Sequence, residues 1–201
     1  MPDSSGPYIL PFPYFGPLTF YQRLHGGHAI IDIHEHYLKQ SLRNRCEILG
    51  PNGRQALSIP VVHRSGSKIP FKDVRVDYRE SWQKDHWGAI RSSYGRAPFF
   101  IHFASNLESL FHNRPEYLLD WNQMCHEVVC SLLRSELPLT FSKEYLPPTF
   151  GMDERPKYRK AHLEQEAYIQ VFSDRYPFQS GLSILDMLFC LGPETRDQIT
   201  S

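Results

Sequence analysis

Apolar positions follow the period of a strand in the first third of the chain and the period of a helix after that. The opening is rich in proline (Pro7, Pro11, Pro13, Pro17) and predicts extended chain, relieved by a short helix over 18–24. Gly26-Gly27 ends that helix, and Ala29-Ile-Ile-Asp-Ile33 reads as a buried strand. Arg45-Cys-Glu-Ile-Leu49 and Gln55-Ala-Leu-Ser-Ile-Pro-Val-Val62 flank Gly50-Pro-Asn-Gly53. They predict a β-hairpin over about 45–62, with Asn52-Gly53 supplying the positive φ angles of the turn. Arg64-Ser-Gly-Ser67 predicts a second turn, and the alternation of Ile69, Phe71, Val74 and Val76 a further strand.

The middle third switches to helical spacing. Asp77 with Glu80 three residues on has the form of a capping box and predicts a helix to Tyr94, stopped by Gly95. Pro98 opens a second helix with Phe99, Phe103, Leu107 and Leu110 on one face. A third, over about 115–134, carries Leu118, Trp121, Cys125, Val129 and Leu132 and is closed by Pro138. Leu139-Thr-Phe141 reads as a short strand, and 142–160, dense in proline and charge, as a surface loop or lid. Ser183 with Asp186 begins a final helix over 184–191, ended by Gly192-Pro193. Interleaved strands and helices predict an α/β fold, with α+β as the alternative. All of 1–201 reads as one domain.

Composition narrows the function classes. The chain has 201 residues, of which 41% are apolar, and that length supports a sizeable core. Its 22 basic and 22 acidic side chains cancel, which argues against a nucleic-acid surface and against electrostatic attachment to an anionic membrane. No apolar run approaches the ~20 residues that cross a bilayer, and the start lacks the basic and apolar regions of a secretory signal. The four cysteines (Cys46, Cys125, Cys130, Cys190) form no CxxC pair and read as reduced, buried thiols. The expectation is a cytoplasmic protein with a small-molecule substrate, no nucleic-acid partner and no membrane insertion.

The densest polar segment, 32–45, begins where the 29–33 strand ends, the place where open α/β sheets collect ligands. A continuing strand would put Asp32, His34 and His36 on one face and Glu35 on the other. A carboxylate and two imidazoles suit zinc or iron, but no HExxH pattern accompanies them, and no metal is assigned. The plainer reading is strand-end polar groups bonded to neighbouring loops. Arg43 and Arg45, with Lys39 upstream, have the forks that bind phosphate or carboxylate, or else belong to a salt-bridged surface. In the 77–94 helix His86 lies one turn from Trp82, either as a base at a cleft rim or as a core histidine. No GxSxG, Walker or GxGxxG pattern occurs, and nothing names a cofactor. These residues predict one cleft, with His34, His36, Arg43 and Arg45 on one wall and His86 opposite.

Together the motifs resemble the WbqC-like protein family. They are Tyr14-Phe15-Gly16 with Leu18, Ile31-Asp-Ile-His-Glu-His-Tyr37, Lys39-Gln40, Arg43-Asn-Arg-Cys46 and Leu57-Ser-Ile-Pro-Val61. Asp85-His-Trp87 with Tyr94, Ala97-Pro98-Phe99, Leu182-Ser-Ile-Leu-Asp-Met-Leu188 and Gly192-Pro-Glu194 extend the resemblance over about 8–194. Many members open on a His-Gln-Pro-Asn motif; this chain has Ile9-Leu-Pro-Phe-Pro-Tyr14 instead. The resemblance implies a place in surface-polysaccharide production and transfer of an aminoacyl (glycyl) or acyl group to an amino sugar or nucleotide-sugar. On that reading His86, His34 and His36 are the catalytic candidates. Lys39, Arg43, Asn44 and Arg45 bind substrate, Arg43 and Arg45 as a phosphate clamp and Asn44 as a polar positioner. The order strand, turn, helix, strand at the start is also similar to Rossmann-like nucleotide-binding domains. The competing class is a non-catalytic scaffold in envelope-polysaccharide assembly.

Overall fold

The computed structural model describes residues 6–62, 68–159 and 165–201. Its first half contains β1 (Tyr8–Leu10), α1 (Leu18–His25), β2 (Ala29–Ile31), β3 (Arg45–Gly50), β4 (Gly53–Ser58), β5 (Val61–Val62) and β6 (Arg75–Val76). Then follow α2 (Trp82–Tyr94), α3 (Phe100–Leu110), α4 (Leu118–Leu133), β7 (Met152–Asp153), α5 (Ile184–Leu191) and α6 (Thr195–Thr200). Short 3-10 turns occupy Phe71–Asp73, Arg155–Arg159 and Gly192–Glu194. His63 and the turn expected at 64–67 lie outside the described residues.

The fold is mixed α/β. Its parallel sheet has the order β2-β1-β7, so the three-residue β1 is paired on both edges, Tyr8 standing opposite Ala29 on one side and Met152 on the other. Thr140 and Ser142 extend the outer edge by bonding Ile31 through both of its backbone groups, at 2.8 and 2.9 Å. Gly151 makes this packing possible. A Cβ there would lie 2.2 Å from the Pro7 carbonyl oxygen, a backbone approach that only glycine allows.

Two antiparallel pairs stand apart from this sheet. The hairpin joins β3 to β4 from Arg45 opposite Ser58 to Gly50 opposite Gly53, around Pro51-Asn52. Only Gly53 takes a positive φ there, +97°; Asn52 does not. The expected second strand of the hairpin stops short of 62 because Pro60 interrupts it, and Val61 pairs instead with Val76 of β6. The capping box at Asp77 does not form. Asp77 accepts from the backbone and guanidinium of Arg79, and α2 starts later, at Trp82. Helix α5 has its expected cap, Ser183 Oγ accepting from Leu185 N at 3.3 Å.

Helix α1 packs on α6, α2 and α5 on β3, and α4 on α3 and the 71–73 turn. The buried side chains of all these elements form one apolar cluster that includes Leu10, Phe12, Tyr94, Trp121 and Phe189. No helix among the described residues is long and apolar enough to cross a membrane.

Candidate functional site

The parallel strands end together at one edge of the sheet, and the residues that follow them converge there. The chain leaves the sheet at Ile31 and turns at once, Asp32 Oδ1 accepting from His34 N at 3.0 Å. This turn breaks the two-residue period expected through 32–36. Asp32 and Glu35 are buried, His34 is half-buried and His36 is exposed.

Asp32 is fully buried and organises the edge. Beyond His34 N it accepts from Ser142 Oγ at 3.1 Å, from Leu146 N at 3.3 Å and from Arg155 Nη1. Arg155 also grips Asp153 with a two-pronged contact, Nε to Oδ1 at 2.8 Å and Nη2 to Oδ2 at 2.9 Å. Next to them Arg43, with no solvent exposure, bonds Glu35 through Nε at 2.6 Å and Nη2 at 2.5 Å. A buried pair with this fork geometry holds both side chains fixed, since releasing either would strand a charge out of water.

These groups border a pocket of about 310 Å³ lined by Glu35, His36, Arg43, Tyr145, Asp153 and Arg155, with Arg159 on its exposed side. Its lining carries two carboxylates (Glu35, Asp153) and three guanidiniums (Arg43, Arg155, Arg159), and with the fully buried Asp32 carboxylate bonded to Arg155 the charges balance when all are ionised. Burial pushes the Glu35 carboxyl above the usual carboxylate range, against the pull of Arg43 and Arg155 and helped by the Asp32 charge. Asp153 goes the other way. Burial opposes its charge, but the hydrogen bonds and charge of Arg155 outweigh that and hold it below the usual range. A raised carboxyl beside a lowered one is the arrangement from which acid–base chemistry is built. No group of three or more side chains suited to a metal ion occurs among the described residues.

The structure brings only two of the sequence-predicted residues, His36 and Arg43, to this pocket. Arg43 spends its fork on Glu35, so it is not half of a free phosphate clamp. Arg45 heads the hairpin and does not line the pocket, and Asn44 Nδ2 donates to Ile59 O at 2.9 Å. Lys39 is exposed and His34 half-buried, and neither lines the pocket. His86 is not opposite. It is buried in the core on α2, joined to Tyr14 Oη by a 3.1 Å hydrogen bond and packed edge-on against Trp82, and burial pushes its pKa down to about 4. The cleft expected between His34 and His86 is therefore not formed, because Trp82, Tyr14 and His86 are all taken into the core.

Sequence reasoning missed Asp153, Arg155, Tyr145 and Arg159. The expected surface loop at 142–160 in fact supplies β7, a 3-10 turn and half of the pocket, with Glu154, Arg155 and Tyr158 buried. A local signal was present: Asp153, like Asp32 and Asp77, accepts from the backbone N two residues on, at 3.1 Å.

Three larger hollows have other linings. One of about 700 Å³ runs along His126, Cys130 and Leu137, where His126 Nε2 is bonded to the Leu137 carbonyl and burial pushes the Cys130 thiol up to about 11. A second, about 570 Å³, lies between Pro98, Val171 and Cys190, and a third, about 450 Å³, between Lys84, Trp87 and Glu108. None of them brings together buried opposite charges.

The chain is 25% identical to the "Uncharacterized protein Rv1507c" of Mycobacterium tuberculosis, over 81% of this chain and 83% of that one. No solved structure matches it significantly. The model of the WbqC-like protein family matches residues 12–171. That match takes in every residue that lines the pocket, from Glu35 to Arg159, so the pocket and the family signature fall on the same stretch: the chain belongs to the WbqC-like protein family.

Proposed function

We propose that the pocket transfers an acyl or aminoacyl group, glycine included, to the amine of an amino sugar during surface-polysaccharide production. The observation that carries this reading is the raised carboxyl of Glu35 lining one pocket with the lowered carboxyl of Asp153. An amino sugar arrives as an ammonium ion, which a carboxylate attracts, and it must lose a proton before it can attack. Glu35 is the base: a carboxyl with a raised pKa is a better proton acceptor than an ordinary one. The freed amine then attacks the carbonyl carbon of an activated acyl donor. A C–N bond forms, the bond to the leaving group breaks with its electron pair on that group, the proton on Glu35 is returned to it, and the second proton, shed by the nitrogen as the amide forms, leaves by way of His36 to solvent. Arg43 and Arg155 hold Glu35 and Asp153 in place, and His36, on the exposed wall, is the second proton-handling group. The family resemblance supports the polysaccharide setting, and the pocket's position at the strand ends supports the Rossmann-like comparison.

Mass spectrometry of the purified protein incubated with amino sugars and activated acyl or aminoacyl donors tests this. N-acylated product is expected, with the rate of Glu35→Gln lower by about 100-fold or more. Absence of product across the panel, or a folded Glu35→Gln variant at full rate, would overturn it and favour the scaffold.

A further inference from the structure

We propose that this pocket takes its amino sugar as a nucleoside diphosphate sugar, with the sugar inside, the diphosphate on Arg159 and the base against Tyr145. The inference rests on the reading of the pocket as an amino-sugar site. Size is the first argument. A volume of about 310 Å³ is at the bottom of the ~300–1,000 Å³ range of small-molecule pockets. That is room for one sugar ring, with anything attached to the ring lying outside.

Charge is the second argument. The guanidiniums of Arg43 and Arg155 are buried and already paired, Arg43 with Glu35 and Arg155 with Asp32 and Asp153. Arg159 lines the same pocket, is exposed, and has no ion pair or hydrogen bond among the described residues. The pocket thus combines carboxylates that are held in pairs with one unpaired, exposed guanidinium, and the ligand that matches carries an ammonium at one end and a phosphate at the other. A guanidinium fork is the group suited to that phosphate.

The third argument is Tyr145. Its side chain lines the pocket yet is 51% exposed, unusual for a large aromatic. The Arg155 guanidinium lies 5.3 Å from its ring centroid and is itself pinned by two carboxylates, so the ring is backed by a fixed cation. A half-exposed, backed ring beside an unpaired arginine offers stacking and phosphate binding to one ligand, and stacking tolerates any base.

Titration calorimetry on the full chain tests this with UDP, GDP, CDP, ADP, pyrophosphate and free glucosamine. At least one nucleoside diphosphate is expected to bind. Arg159→Glu should weaken it about tenfold or more, the scale of a lost charge-assisted contact. Tyr145→Ala should weaken the nucleotide and leave pyrophosphate unchanged. Both side chains are exposed, so neither change threatens folding. No binding of any nucleoside diphosphate, or an Arg159→Glu variant with unchanged affinity, overturns the proposal. Acyl transfer to a free amino sugar as fast as to its nucleotide form also overturns it, while leaving the transferase reading intact. Nucleotide binding that survives in Glu35→Gln, in a protein that never transfers an acyl group, supports this proposal and removes the transferase reading.

Discussion

Arg155 reaches Asp32 across 123 positions of sequence, and both are almost wholly buried. The contact joins the residue that follows β2 to the turn that follows β7, with β1 between them. It fastens the two flanks of the parallel sheet at the edge where the pocket opens. Arg155→Ala would leave the buried Asp32 and the half-buried Asp153 without their counter-charge. Urea unfolding should show a loss of about 3–5 kcal/mol, the usual result of removing one partner of a buried pair. Arg155→Lys should recover only part of that loss, since a point charge cannot serve two carboxylates through three nitrogens.

Gly151→Ala tests the close approach of β7 to β1. The added methyl meets the Pro7 carbonyl, so β7 must shift or lose its pairing. A destabilisation of about 1–3 kcal/mol is expected from overpacking. Displacement of Asp153 and Arg155 should also weaken pocket ligands, which titration of the variant would register beside its melting temperature.

His86 gives stability a particular pH dependence. Its pKa is about 4 in the folded chain and about 6.5 when exposed, so the unfolded chain binds the extra proton between those values. Its contribution is present above pH 6.5 and is lost as pH falls toward 4, about 3 kcal/mol in all. His126 is lowered by burial too and acts in the same direction. Urea unfolding from pH 7 to 4 should therefore show a shallower decline for His86→Gln than for the parent chain; equal slopes would contradict a neutral, buried His86.

Asn122 links the exit of β1 to the pocket floor. Its Nδ2 donates to Phe12 O at 2.9 Å and to Arg43 O at 2.8 Å, both in the interior. Asn122→Ala leaves two carbonyls without a donor, about 1–3 kcal/mol for each one that water cannot reach. The loss should show as a lower urea midpoint with an unchanged slope.

What could be read in the sequence was what local pattern encodes. The Ser183 cap of α5 and the turn chemistry around Gly53 depend on residues within a few positions of each other. The 32–45 segment stood out as the place of chemistry, and Glu35 and Arg43 are there. The roles within it were not legible, because whether Arg43 faces a ligand or Glu35 depends on a turn that the expected strand through Asp32 concealed. β7 was invisible for a stronger reason. Two residues carry no periodicity, and Met152–Asp153 is a strand only because β1 lies beside it. The charges of Asp153 and Arg155 read as surface since their partners are remote in sequence.

The central place of β1 also dictates an order of events. Parallel pairing between segments this far apart is slow, since a long loop must close before any contact forms. During synthesis β1 can meet β2 early, but β7 and Arg155 emerge only after α4 is complete. Until then Asp32 lacks its guanidinium and Glu35 lies in an unfinished wall. The nascent chain can therefore assemble the hairpin with α2, α3 and α4 before it has this pocket, and the short segment that carries β7 and Arg155 completes the pocket when it is made.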